Sequence, residues 1–140
     1  MNLVRRIRGY ASVFGEVDRV GDRVRKGAFA GSAKKNIPMF YKHFGGMEIG
    51  KWQRIEEDDV GLYVEGEIWL SRCAQLGILK QVEGELALSV GMTLKKANCR
   101  NNIDDIKLEK NLGRDISEVE LREISILPRG EQICRSAIVF

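Results

Sequence analysis

Apolar and polar residues alternate along much of this chain, the pattern of strands with one buried face. The cleanest run is Leu86 to Leu94. Leu86, Leu88, Val90, Met92 and Leu94 form one face, and Ala87, Ser89, Gly91 and Thr93 form the other. Leu62, Val64, Gly66, Ile68 and Leu70 alternate in the same way with Tyr63, Glu65, Glu67 and Trp69. Leu3 to Phe14 predicts a first strand, with Ile7, Gly9, Ala11 and Val13 on one face and Arg5 interrupting it. Pro38 to His43 and Ile49 to Glu56 predict short strands around Gly45-Gly46. Ser117 to Leu127 and Ile133 to Phe140 predict two more, split by Pro128-Arg129-Gly130.

The period changes twice. Phe29, Ala33 and Ile37 recur four apart and predict a short helix that Pro38 stops. Cys73, Leu76, Leu79 and Val82 recur three apart, predicting a helix over Ser71 to Glu83 with Ser71 as N-cap and Gly84 as its stop. Gly15 to Gly27 reads as a loop, and the polar stretch Asn98 to Gly113 as a long excursion. Neither a repeat nor a linker divides residues 1–140, so one domain is expected. Six or seven strands with two short helices predict a mainly β fold, a barrel flanked by helices.

Composition narrows the class of protein. With 44% hydrophobic residues in 140, the chain can bury a core, and 15 glycines against 2 prolines suit many tight turns. Its uncharged runs fall short of a membrane span, and Arg5, Arg6 and Arg8 lead into no apolar segment of the signal-peptide kind. A membrane partner is therefore not expected. The net charge of +3 is too mild to imply nucleic acid. No aromatic residue is interleaved with Arg5-Arg6-Ile7-Arg8 or with Arg23, Arg25 and Lys26, so these clusters read as solvated charge. Cys73, Cys99 and Cys134 are odd in number and far apart, which fits reduced thiols in a cytosolic protein.

Candidate chemistry is sparse. His43 is the single histidine, so any histidine-dependent mechanism must use it. Ser89 lies on the small-residue face of its strand, where an extended substrate can approach, but outside any Gly-x-Ser-x-Gly elbow. At period two Glu123 shares a face with Val119, Leu121 and Leu127. A carboxylate on an apolar face needs a partner, either an arginine or the His43 imidazole. Taken alone, each of the three is as well read as an ordinary structural residue. No Cys-x-x-Cys or histidine pair supports zinc. Asp18 and Asp22 sit in a Gly-rich loop, where aspartate is usually turn chemistry. Gly15 to Gly21 lacks a phosphate-binding pattern, and no cofactor is expected.

The order of the motifs is more specific than any one of them. Gly9-Tyr10-Ala11-Ser12-Val13-Phe14, Asp18-Arg19-Val20-Gly21-Asp22 and Lys26-Gly27-Ala28-Phe29 resemble the opening of the tailed-phage prohead (capsid maturation) serine proteases. Pro38-Met39-Phe40-Tyr41-Lys42-His43, Ile49-Gly50-Lys51-Trp52 and Asp59-Val60-Gly61-Leu62-Tyr63-Val64-Glu65-Gly66 follow in the family order. Leu86-Ala87-Leu88-Ser89-Val90-Gly91-Met92 resembles the family's nucleophile strand, and Leu121-Arg122-Glu123-Ile124-Ser125-Ile126 its acidic strand.

The resemblance implies a serine endopeptidase related to the herpesvirus assemblins, with Ser89 as nucleophile, His43 as general base and then acid, and Glu123 as the orienting group. The herpesvirus enzymes use Ser-His-His; with one histidine here, the third member must be a carboxylate or be absent. Where the phage enzymes often continue with a Pro-Ala-Asn-Pro type turn, this chain has Leu127-Pro128-Arg129-Gly130. By analogy with an arginine-bearing loop in the herpesvirus relatives, Arg129 and Gly130 are candidate oxyanion donors through backbone N–H. The implied substrates are scaffold protein, the scaffold-like region of the major capsid protein, and the protease itself, inside the assembling prohead in the host cytoplasm. The herpesvirus relatives form dimers or higher assemblies, and the resemblance admits the same here. Two rival readings are a non-catalytic β-barrel that binds capsid or scaffold, and a cysteine hydrolase. Convergence of Ser89, His43 and Glu123 separates the first rival from the protease.

Overall fold

The computed structural model describes residues 3–33, 36–99 and 113–140. Its described residues form seven strands and two short helices. The strands are β1 (Val4–Val13), β2 (Arg23–Val24), β3 (Pro38–Tyr41), β4 (Glu48–Glu57), β5 (Gly61–Trp69), β6 (Leu86–Cys99) and β7 (Arg114–Pro128). The helices, α1 (Leu70–Gln75) and α2 (Leu79–Glu83), lie between β5 and β6. The mainly β reading holds, in the form of a curled half-barrel sheet.

The sheet runs in the order β1-β5-β4-β3-β7-β2, and β6 pairs antiparallel with β7. Strands β2 and β3 both join β7 in parallel. Between them, Val119 donates to the Ala28 carbonyl and Leu121 to the Ser32 hydroxyl, so residues 28–32 cover the intervening edge. One segment spans the remaining opening. Ile138 bridges Ala87 of β6, and Val139 bridges Gly9 of β1. The Leu88 N–H donates to Ala137, and the Phe140 N–H donates to Arg8. Inside lie Phe29, Met39, Ile49, Leu62, Ile68, Leu88, Ile116, Ile124 and Ile126, all essentially without solvent access.

Four local expectations change. Residues 26–33 form successive turns rather than a helix, because the Ala28 carbonyl, which a helix would use internally, accepts the Val119 N–H; residues 34 and 35 of the predicted span lie outside the described residues. The predicted helix over Ser71 to Glu83 is two pieces, broken at Gly77, whose positive φ of 77° lies outside the right-handed helical region. Its N-cap position is Trp69, with no capping side chain, so Ser71 is already inside the helix. Residues 133–140 follow turns into isolated bridges, not a strand. Of the polar excursion, Asn98 and Cys99 extend β6, and most of the rest lies outside the described residues.

The basic clusters are largely spent on internal partners. Arg5 donates to the Val82 and Gly84 carbonyls at the end of α2, at 2.7 and 2.8 Å. Arg23 and Arg25 both pair with Asp115, which holds that carboxyl down at about 2.

The seam at Gly9 generates a test. A Cβ there would lie 2.4 Å from the Ile138 carbonyl oxygen, so Gly9→Ala must push residues 137–140 off the β1 edge. We expect a loss of about 1–3 kcal/mol in denaturant unfolding. Amide exchange should accelerate at Leu88, Val139 and Phe140 before it does in β5; unchanged exchange there would contradict this closure.

Candidate active site

Strands β6 and β7 form the wall that carries two of the three candidate residues. Ala87 faces Leu127, Ser89 faces Ser125 and Gly91 faces Glu123. Directly opposed residues of an antiparallel pair share a face. The other face holds Leu88 opposite Ile126 and Val90 opposite Ile124. The register then shifts: Met92 pairs with Leu121, leaving Arg122 as an extra residue in β7. Such a bulge turns the following side chains to the opposite face. Val119 and Leu121 belong to the core before it, and Ile124 and Ile126 belong to it afterwards. Strict period two therefore misplaces Glu123, which the bulge removes from the face of Val119 and Leu121.

His43 arrives from β3, whose Phe40 lies beside Ser125 and Tyr41 beside Ile126. The chain then reverses over Tyr41 to Phe44. Lys42 and His43 have φ of 50° and 66°, and the Phe44 N–H donates to the Tyr41 carbonyl at 3.0 Å. Two central residues at positive φ with this closing bond match a type I′ turn, which ordinarily favours Asn-Gly. Placing two residues with Cβ atoms there costs of order 1–2 kcal/mol each. The surroundings hold the strain: the Lys42 N–H donates to the Ile126 carbonyl and the His43 N–H to the Ser125 hydroxyl, both at 3.0 Å.

The three side chains meet. His43 Nε2 lies 2.9 Å from Ser89 Oγ, and Nδ1 is in contact with Glu123 Oε1. Ser125 Oγ donates to Glu123 Oε2 at 2.5 Å. Ser89 and Glu123 are both buried at 8% exposure, whereas the His43 side chain is 42% exposed. Its ring therefore joins the buried wall to solvent. The hydrogen bond that the imidazole donates to Glu123, helped by the carboxylate charge, raises the imidazole above its ordinary 6.5, against the opposing effect of burial. Gly91 makes room for the carboxylate: a Cβ there would lie 2.2 Å from Glu123 Oε1. Ser125 was not singled out from the sequence. Its signal was available, a hydroxyl two residues beyond Glu123 and hence on the same face of the strand.

On its other side Ser89 borders a cleft of about 180 Å³, lined by Val20, Met92, Ile133, Cys134 and Asp18 among others. Asp18 Oδ1 accepts the Val20 and Asp22 N–H groups, and the Asp22 carboxylate holds the Arg114 guanidinium at 2.8 Å. Both aspartates thus shape the loop. Burial pushes the Cys73 and Cys134 thiols up, the opposite of an activated thiolate. The candidate oxyanion donors are committed elsewhere. The Arg129 N–H donates to the Glu85 carbonyl at 3.0 Å and the Gly130 N–H to the Gln132 side chain at 2.7 Å. Pro128 lies opposite Leu86, three positions along β6 from Ser89. In this conformation neither N–H is free to receive an oxyanion.

A model of the caudovirus prohead serine protease family matches residues 2–132. The chain belongs to that family. It is 34% identical over 133 residues to the prohead protease of Enterobacteria phage HK97, an alignment covering 89% of this chain and 56% of that protein. The caudovirus family chain thus spans little more than half the length of its curated relative. Among solved structures, the fold is similar to that of the KSHV protease in complex with a hexapeptide phosphonate inhibitor. The TM-score is 0.58 at 13% identity, covering 99% of this chain and 64% of that one. Varicella-zoster virus protease aligns at a TM-score of 0.47 and 12% identity, covering 89% and 64%. The first of these likenesses bears out a herpesvirus-protease-like fold.

Because His43 is the only histidine, its titration can be followed by NMR without assignment ambiguity. We expect a midpoint above 6.5 in the wild-type prohead-protease chain, and at or below 6.5 in Glu123→Gln, where burial acts alone. The sign for stability follows. The pair contributes fully below 6.5, and its contribution is lost as pH rises through the folded-state midpoint. Gly91→Ala should lower the midpoint as well, by displacing the carboxylate. A wild-type midpoint at 6.5 or below would refute the coupling.

Proposed function

We propose that this chain is a serine endopeptidase of capsid maturation, with Ser89 as nucleophile, His43 as general base and then acid, and Glu123 as the orienting carboxylate. The observation that carries the reading is the continuous chain of contacts from Ser89 Oγ through His43 to Glu123. Membership of the prohead serine protease family supports it.

With Glu123 accepting at Nδ1–H, Nε2 keeps its lone pair and takes the Ser89 proton as Oγ attacks the substrate carbonyl carbon. The imidazolium that forms is stabilised by the carboxylate beside it. It then gives its proton to the departing amine, the C–N bond breaks, and an ester to Ser89 remains. Water, deprotonated by Nε2, attacks that ester, and the proton returns to Ser89 Oγ as the acid product leaves. Arg129 and Gly130 act as oxyanion donors only if the turn they occupy first releases its present bonds. A donor recruited in that way would lower the barrier by about 3 kcal/mol.

The substrates we assign are scaffold protein and the scaffold-like region of the major capsid protein, with cleavage of the protease itself as a further event. The place of action is the assembling prohead in the host cytoplasm. The cleft beside Ser89 is where an extended segment of such a chain would lie.

The test is intact-mass spectrometry of wild type and Ser89→Ala, each co-expressed with the neighbouring scaffold and capsid proteins. New termini should appear only with Ser89 present. On a defined cleaved peptide, Ser89→Ala and His43→Ala should each lose about 10⁴- to 10⁶-fold in rate while remaining folded. Glu123→Gln should lose as much or less, of order 10⁴-fold. Full activity in His43→Ala would overturn the mechanism, because no second histidine exists to substitute. Absence of Ser89-dependent cleavage with folded partners present would favour a binding barrel.

A further inference from the structure

We propose that Ser125 is a positioning residue for this site, a buried clamp that fixes the Glu123 carboxylate and the backbone of His43 at once. The proposal rests on the assignment of Ser89, His43 and Glu123 made above, and adds a fourth residue that acts through two of them. Ser125 has no solvent access and sits directly opposite Ser89 in the β6–β7 register. Its hydroxyl makes two contacts, to the His43 N–H and to Glu123 Oε2.

The polarity of these contacts follows from the number of protons. A hydroxyl carries one hydrogen. Because the His43 N–H donates to Ser125 Oγ, the serine must accept there, and its own proton goes to Glu123 Oε2. Glu123 accepts there through Oε2 and, as an ionised carboxylate with no proton to give, accepts at Oε1 from Nδ1–H of His43. Nδ1 is thereby the protonated nitrogen, and Nε2 is left as the acceptor for Ser89. All of these bonds donate toward Glu123, from Ser125 on one side and from Ser89 through His43 on the other.

The clamp also fixes geometry. Both oxygens of Glu123 are engaged on different partners, so the carboxylate cannot rotate about its terminal bond without losing one of them. The bare Cα of Gly91 lies against the third side. At the other end, the accepted N–H belongs to a residue with φ of 66°, in a turn that Lys42 and His43 do not favour intrinsically. Releasing it would let the turn relax and carry the imidazole away from both partners. Ser125 touches neither cleft nor solvent, so it has no part in holding substrate.

The test compares wild type, Ser125→Ala and Ser125→Thr by NMR of the single histidine, together with kcat and KM on a peptide the wild type cleaves. In Ser125→Ala the His43 midpoint should fall toward 6.5, the low-field Nδ1–H signal should disappear, and the His43 amide should exchange faster. Losing a hydrogen bond to a charged group predicts a fall in kcat of about ten- to a hundredfold, with KM unchanged. Ser125→Thr, which keeps the hydroxyl, should recover the midpoint and the signal. If Ser125→Ala does not fold, Ser125→Cys has a similar volume and only a weak donor, and the same losses are expected in reduced degree. A wild-type midpoint and Nδ1–H signal in a folded Ser125→Ala or Ser125→Cys would overturn the clamp. These spectra need no substrate. An inactive wild type with a shifted His43 would therefore count against the protease assignment alone, whereas an active wild type with an indifferent Ser125→Ala would count against this proposal alone.

Discussion

A carboxylate set into the wall of a sheet is stable only while something holds its charge, since an isolated buried charge costs several kcal/mol. Glu123 is that carboxylate, and most of the surrounding architecture answers to it. His43 meets one oxygen and Ser125 the other, while Gly91 leaves the space they need. Two of the three reach Glu123 through strand pairing, and the third along its own strand. Gly91 is brought by the β6–β7 pairing, and His43 by the parallel contact of β3 with β7. Ser125 is brought by the strand itself, but onto a useful face only because the bulge at Arg122 precedes it. The seam closed by residues 137–139 holds β6 against β1, and so supports the strand that carries Ser89.

The parts of this design that were legible in the sequence are those governed by a single period. Strands β1, β5 and β6 begin within a residue or so of where alternation begins, because each buries one face against a core that rewards every second residue. The candidate residues of the site were legible for a different reason. One histidine left one choice of base, the order of the motifs resembled a known family, and a carboxylate on an apolar face demanded a partner. Its true face was not readable, because a bulge is a property of the pairing between two strands and not of either one.

Other departures have equally local causes. The spacing of Phe29, Ala33 and Ile37 mimics a helix turn, yet the Ala28 carbonyl is taken by the Val119 N–H of β7. Propensity was overruled there by a tertiary hydrogen bond. Arg5 breaks the alternation of β1, and in the sequence it looks like solvated charge; its guanidinium instead satisfies carbonyls at the end of α2, nearly eighty residues away. Ser125 escaped notice because serine in a strand is unremarkable by composition. It gains significance only when a histidine N–H from another strand lands on its hydroxyl.

A carboxylate in the orienting position sets two opposed demands on His43. The pair is most stabilising when the ring is protonated, below 6.5, since the folded-state midpoint is raised. A general base must be neutral to take the Ser89 proton, which favours pH above that same midpoint. The interaction that aligns the imidazole therefore delays its readiness, and a stronger pair would be better held and less often basic at a given pH. The second hydrogen bond to the carboxylate takes the side of alignment. By holding Oε2, the Ser125 hydroxyl keeps Oε1 against the ring, so the same clamp maintains the alignment of the imidazole and its raised midpoint. Alignment and proton affinity are therefore coupled through one carboxylate, and releasing the clamp would loosen the ring and lower its midpoint together.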